Sequence, residues 1–203
     1  MTKTLPEDRL AKRFPIVYRQ IRSVWLGVMG LLGVPGYWNR RKQLDYYGEV
    51  VRLAKRHSPA GGSVIDVGSN KAETLLELHW FEKRVALDIL YPPRAKAVTS
   101  IQVDFMEYEP EIEFDLVLCL QVLEHLEEPA PFAQKLLKTG RTVIISVPYN
   151  WPKDQHETHL QDPVDQEKLT SWTGQTPLES QVVANGAERL IAVYQPGLSQ
   201  PLS

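Results

Sequence analysis

The chain has 203 residues, 43% hydrophobic and 24% charged, which excludes disordered and collagen-like classes and suits one soluble domain with a sizeable core. Its single cysteine, Cys119, rules out an intramolecular disulfide, and no Cys/His group has zinc spacing, so a reducing cytoplasm is the expected setting. The net charge of −2 conceals an asymmetry: residues 1 to 42 hold nine Lys/Arg against Glu7 and Asp8, leaving 14 basic against 23 acidic residues in the body.

Helical spacing over residues 7–22 makes residues 1–44 a basic N-terminal arm or cap. Within it, Val24 to Val34 is too short for the roughly 20 apolar residues of a membrane span and begins too far in for a simple signal peptide. The favoured role is a helix closing over the sheet or the active site. The sharper alternative is an interfacial segment, giving weak contact of residues 9–42 with a membrane surface or another anionic partner, although three glycines weaken such a helix. A second helical pattern over 39–57 carries Leu44, Tyr47, Val51 and Leu53-Ala54 as an apolar stripe, and Ser58 to Gly62 stops it.

From there apolar runs and helical patterns alternate: strand 63–67, helix 71–81, strands 84–89, 101–103 and 114–120, helix 129–138 and strand 141–147. This alternation predicts an α/β fold, doubly wound, with a mostly parallel sheet and helices on both faces. The short stretch 91–100, with Pro92-Pro93, predicts an irregular crossover. Beyond Trp151 come a polar loop, a helix over 165–172 and two runs, 179–184 and 188–194. Asn185-Gly186 between them predicts an antiparallel hairpin at the sheet edge, giving seven strands. The domain is expected to occupy residues 45–195, with 196–203 a flexible tail.

The most informative stretch is Val64-Ile65-Asp66-Val67-Gly68-Ser69-Asn70, a buried strand handing over to a glycine turn. Asp88 ends a second apolar run 22 residues after Asp66, where a doubly wound sheet places the carboxylate that accepts from ribose hydroxyls. With Asp104-Phe105 and the string Phe114 to Leu126, these residues resemble the class I S-adenosylmethionine-dependent methyltransferases of the small single-domain group. The resemblance covers roughly residues 45–195 and implies S-adenosyl-L-methionine as cofactor and S-adenosyl-L-homocysteine as product. It places Asp66, Gly68, Ser69, Asn70, Asp88, Ile89, Asp104, Phe105, Leu120 and Gln121 around that cofactor, with Asp104 near the adenine amino group and the Phe105 ring on the adenine face. The family's first motif has glycine where this chain has Asn70 and Ala72. Asparagine tolerates the left-handed region and alanine is small, so binding with altered affinity is expected. Taken alone, Asp104 is equally a turn former. Glu124-His125 would, by resemblance, belong to the helix after the fourth strand.

Methyl transfer from a sulfonium needs a base only when the acceptor is protonated at neutral pH. His159 and His156, after the fifth strand, are the candidates, against the plainer reading of ordinary loop or capping histidines. Their spacing of three could suit a metal, but no third ligand accompanies them in sequence, and no metal is expected. The Asn/Asp/Ser-Pro-Pro-Tyr/Phe motif of enzymes that methylate nucleic-acid or protein nitrogens is missing after the fourth strand, which reads Leu120-Gln121-Val122-Leu123. No basic, aromatic-interleaved face argues for nucleic acid. A small-molecule acceptor is therefore expected, a hydroxyl of a sugar or lipid-linked metabolite being the specific guess. The alternatives are a weak or inactive methyltransferase-fold scaffold and a nicotinamide-dependent dehydrogenase, which would want a more glycine-rich loop.

Overall fold

The computed structural model describes residues 45–70, 73–90, 97–153, 155–184 and 188–197. The basic arm expected over residues 1–44 lies outside them, as do Ala72, the crossover residues 91–96, the turn residues Asn185-Gly186 and the tail from 198. Among the described residues, no helix is long and apolar enough to cross a membrane.

The elements in chain order are α1 (Asp45–His57), β1 (Gly62–Val67), α2 (Glu73–Glu77), β2 (Phe81–Asp88), β3 (Thr99–Gln102) and β4 (Phe114–Leu120). A 3-10 turn (Leu123–His125), α3 (Pro129–Thr139), β5 (Gly140–Pro148), α4 (Gln166–Thr173), β6 (Glu179–Val183) and β7 (Arg189–Tyr194) follow. They build one seven-stranded sheet in the order β3-β2-β1-β4-β5-β7-β6. Strands β1 to β5 are parallel, and β7 runs antiparallel to both β5 and β6. The expected doubly wound sheet with an antiparallel end is what forms.

Period-2 alternation sorts each strand's side chains onto two buried faces. Val64, Leu116, Leu118, Ile144, Ile191 and Val193 face Tyr46, Val50, Leu53 and Ala54 of α1 and Leu75 of α2. Ile65, Val67, Val117, Cys119, Val143 and Ile145 face Phe132, Ala133 and Leu136 of α3 and Leu169 and Trp172 of α4. Because both faces are covered, the strands read as continuous apolar runs, which made them visible in the sequence. Asp165 caps α4 by accepting from the Lys168 N–H at 2.8 Å, and Gly174 ends it in the left-handed region at φ 67.

Two elements differ from expectation. Among the described residues, the helix predicted over 71–81 is Glu73–Glu77 and stops short of 81, because Phe81 is buried and pairs with Gly62 as the start of β2, earlier than the predicted residue 84. Trp80 donates its indole N–H to Ser58 O at 3.1 Å and ties this turn to the end of α1. Glu124-His125 also depart from the helix they were expected to join. They form a separate 3-10 turn whose C-cap, Leu126, is extended at φ −89 and ψ 142, and α3 begins afresh at Pro129, a residue suited to a first helical turn.

Candidate active site

Strand order reverses across β1 and β4, and in such sheets ligands bind beyond the carboxyl ends of the strands at that point. β1 ends in a turn with Gly68 at φ 76 and Asn70 at φ 46. The Gly68 and Ser69 N–H groups both donate to Leu87 O, at 2.8 and 3.2 Å, so the turn is tied to the end of β2. A Cβ on Gly68 would stand 2.5 Å from Val122 Cγ2, which requires glycine twice over, by conformation and by space. Asp88 braces the other side: Oδ2 accepts from the Asn70 N–H at 3.0 Å and Oδ1 from the Leu90 N–H at 2.9 Å. Asp66 lies beneath, 4% exposed, its carboxyl pushed up to about 8 by burial and then by the charge of Asp88.

At the end of β4, Gln121 adopts φ 59 and donates its N–H to Ser146 O at 2.9 Å. Its Nε2 donates to Ser146 Oγ at 3.2 Å, which also bonds the buried Tyr46 hydroxyl at 2.5 Å. Arg189 Nε donates to Gln121 Oε1 at 3.2 Å. Its guanidinium lies over the Tyr46 ring at 5.3 Å and the Trp151 ring at 5.7 Å. Thus α1, β4, β5 and β7 are joined through one polar cluster.

The loop after β5 is stapled onto the 3-10 turn. Glu124 O accepts from the Leu160 N–H at 2.8 Å and the Gln161 N–H at 3.3 Å, and His125 Nδ1 donates to Thr158 O at 2.9 Å. His159 is thereby set against three rings: His156 stacked at 4.5 Å, Trp151 stacked at 5.5 Å and His125 edge-on at 4.8 Å. His159 Nδ1 donates to Asp162 Oδ2 at 2.6 Å, which leaves Nε2 as its proton-accepting nitrogen. Burial, His156 and Arg189 lower the His159 imidazole below its usual value, against the opposing pull of Asp162, and burial lowers His125 to about 4. His156 is wired the other way: its Nδ1 accepts from the Thr158 N–H at 3.4 Å and lies 2.9 Å from Thr158 Oγ1, so a neutral His156 carries its proton on Nε2.

A family model described as a methyltransferase domain matches residues 37–190 of the chain. The chain belongs to the class I S-adenosylmethionine-dependent methyltransferases. Similar solved structures carry the same fold. The magnesium protoporphyrin IX methyltransferase of Synechocystis PCC 6803, with bound S-adenosylhomocysteine, aligns with TM-score 0.57 and 17% identity over 74% of this chain and 82% of that one. The 1,6-didemethyltoxoflavin-N1-methyltransferase of Burkholderia thailandensis, with its acceptor and S-adenosylhomocysteine, aligns with TM-score 0.60 and 17% identity over 100% of this chain and 93% of that one. The N-terminal domain of EvdMO1, in the presence of S-adenosylhomocysteine and D-fucose, aligns with TM-score 0.54 and 15% identity over 73% and 82%. No curated protein matches the chain.

The methyltransferase uses S-adenosylmethionine, and the residues present fit it. Ser69 Oγ is a buried hydroxyl with no hydrogen-bond partner among the described residues, placed in the glycine turn. Asp88 sits at the end of β2 as a carboxylate that accepts the Asn70 and Leu90 amides, an acceptor of the kind a ribose hydroxyl needs. Asp66, Gly68, Ser69, Asn70, Asp88, Ile89, Leu120 and Gln121 all gather at the carboxyl edge. Asp104 and Phe105 follow the end of β3, beside Asp88, whose O accepts from the Val103 N–H at 3.2 Å. Asp104 Oδ1 accepts from the Met106 N–H at 2.9 Å, the turn-forming geometry, and Phe105 is 3% exposed with its ring packed on Phe132 at 4.8 Å.

Sequence reading passed over Tyr46, Ser146, Trp151, Asp162 and Arg189 as site residues, and took Glu124-His125 as a marker of the family more than as catalytic groups. One ligand atom from each of Glu124, His125 and His159 lies within 4.8 Å of the others, a group that takes His159 but not His156 and draws its other two members from the 3-10 turn. A signal for Asp162 was available: an acid three residues after His159, before a proline that locks the local chain.

Proposed function

We propose that this methyltransferase acts on a hydroxyl of a small molecule, a sugar or lipid-linked metabolite, with His159 taking the hydroxyl proton. The observation that carries the reading is the pairing of His159 Nδ1 with Asp162 at 2.6 Å. That bond fixes the tautomer and leaves Nε2 unprotonated. When bound, the cofactor supplies a methyl group on a sulfonium whose leaving thioether is neutral, so the protein's task is alignment and one proton. Asp88, Asn70, Gly68 and Ser69 hold the nucleoside end, with Ile89 beside it. Asp104 and Phe105 contribute through the turn they form, Phe105 as the core ring beneath it, and Leu120 and Gln121 bound the methionine end. His156 supports by stacking on His159, since its hydrogen bonds put its own proton outward. The small molecules named with the porphyrin, toxoflavin and EvdMO1 proteins support a small-molecule acceptor; the choice of a hydroxyl rests on His159 alone. The reading places the enzyme in the cytoplasm, with the basic arm of residues 9–42 available to a membrane surface.

The test is transfer to a panel of hydroxylated acceptors by wild type and His159→Ala. The variant should lose roughly 10²–10⁴-fold in rate while binding S-adenosylhomocysteine unchanged, and chelator should leave the wild-type rate intact. Loss of cofactor binding in His159→Ala would make the residue structural, and an unchanged rate would remove it as base. Inactivation by chelator would turn attention to the Glu124-His125-His159 cluster.

A further inference from the structure

Two buried hydroxyls stand on an otherwise apolar face of the sheet. Tyr46 of α1 is 2% exposed and belongs to the stripe of Val50, Leu53 and Ala54. Ser146 of β5 is 0% exposed and lies two residues after Ile144, on the same side of the strand. Phenylalanine and alanine would fill these places without burying a polar atom, and a buried hydroxyl needs a partner to offset its desolvation. The two find each other, with Tyr46 Oη 2.5 Å from Ser146 Oγ. Burial raises the Tyr46 phenol above its usual value, so it keeps its proton.

The pair reaches Gln121 in a fixed sense. Arg189 Nε donates to Gln121 Oε1 at 3.2 Å, and a guanidinium only donates, so the carboxamide oxygen faces Arg189 and its nitrogen faces Ser146. Ser146 Oγ therefore accepts from Gln121 Nε2, at 3.2 Å. Ser146 O accepts the Gln121 N–H as well, at 2.9 Å, and together these bonds hold a non-glycine residue at φ 59, where it persists only when its surroundings fix it. We propose that Tyr46 is a positioning residue for the amino-acid end of the cofactor: its hydroxyl fixes Ser146 Oγ, Ser146 fixes Gln121, and Gln121 sets the chain where that end binds. This rests on the reading that puts Gln121 at the methionine end, and it gives α1 a share in cofactor recognition without touching the cofactor.

The experiment titrates the full chain by calorimetry with S-adenosylhomocysteine and with methylthioadenosine, which keeps the adenosine and the thioether but lacks the amino-acid end. Tyr46→Phe removes the hydroxyl and keeps the ring against Tyr47 at 4.8 Å and beneath Arg189 at 5.3 Å. It should weaken S-adenosylhomocysteine binding about 3- to 10-fold and leave methylthioadenosine binding unchanged, a split that a merely structural role would not produce. Ser146→Ala should weaken S-adenosylhomocysteine at least as much, and adding Tyr46→Phe to it should cost no further affinity, because the phenol acts through Ser146. If Ser146→Ala fails to fold, the Tyr46→Phe comparison between the two ligands decides; if methylthioadenosine binds wild type too weakly to titrate, the double variant decides. Equal losses for both ligands, an unchanged S-adenosylhomocysteine affinity in Tyr46→Phe, or additive losses in the double variant would overturn the proposal. A Gln121→Ala variant that binds S-adenosylhomocysteine as wild type does would instead overturn the placement of Gln121 beneath it.

Discussion

Asn70 is where this chain departs most visibly from a glycine-rich loop, and the structure turns that departure into a quantity. Its φ of 46 lies in the left-handed region, which costs an ordinary L-residue about 1–2 kcal/mol and an asparagine less. The conformation aims the Asn70 N–H at Asp88 Oδ2, 3.0 Å away, and so couples the β1 turn to the carboxylate proposed to hold the ribose. Asn70→Val meets the full cost, because two branches at Cβ crowd the carbonyl on the positive-φ side. If the turn relaxes to avoid it, the amide leaves Asp88 and the cradle opens, and the strain appears as about 5- to 30-fold weaker cofactor binding. Asn70→Gly removes the strain and keeps the amide, so its affinity should equal or exceed that of wild type. Calorimetric titration with S-adenosylhomocysteine, paired with thermal melts, reads both effects. Equal affinities for the valine and glycine variants would refute the coupling of turn conformation to cofactor binding.

The neighbouring glycine gives a steric test: Gly68→Ala places a Cβ 2.5 Å from Val122 Cγ2 and should weaken both folding and cofactor binding. The double variant with Val122→Ala should recover part of the loss, the left-handed cost of about 1 kcal/mol remaining. Absence of any recovery in urea unfolding would show that the close approach is not the constraint. Asp66 gives a pH test. Its carboxyl rises from 3.8 to about 8 on folding, so the folded protein keeps a proton that the unfolded chain releases. The resulting stability is fully present below the unfolded value and is lost as pH climbs toward the folded one. Asp66→Asn should therefore gain on wild type across that window by an amount on the order of a few kcal/mol. Parallel pH–stability curves for the two proteins would sink the assignment.

The fold was legible because its code is local and redundant. Both faces of the sheet are covered, so β1, β4 and β5 appear as unbroken apolar runs, and the glycine turn with its spaced acid marks where β1 and β2 end. Boundaries that depended on tertiary pairing were less visible. Nothing local in residues 71–81 tells a helix former that Phe81 will pair with Gly62 and claim the last turn for β2. Likewise Glu124-His125 read as helix by resemblance, but Leu126 turns extended and Pro129 restarts the helix. Phe105 carries a residue type suited to stacking on a base, and its ring packs on Phe132, a contact that the motif does not encode.

The polar cluster at the ends of β4, β5 and β7 was illegible for a different reason, and that reason bears on how it is built. Its residues come from α1, β4, β5, the loop after β5 and β7, and each in isolation has an ordinary explanation: Tyr46 as helix stripe, Ser146 as strand filler, Trp151 as loop aromatic, Arg189 as strand cap. What unites them is a chain of contacts no spacing encodes, from Tyr46 through Ser146 and Gln121 to Arg189, Trp151, His159 and Asp162. Gln121 stands in the middle, its backbone in the left-handed region, where a non-glycine residue persists only when its surroundings hold it. Here they do: its N–H, its amide nitrogen and its amide oxygen are each bonded, to Ser146 O, Ser146 Oγ and Arg189 Nε. One residue thus fixes the end of β4 and, through its amide oxygen, holds Arg189 Nε. A change that moves Arg189 must therefore pass through the residue that closes β4, which ties the ends of β4 and β7 and the loop after β5 into one geometry.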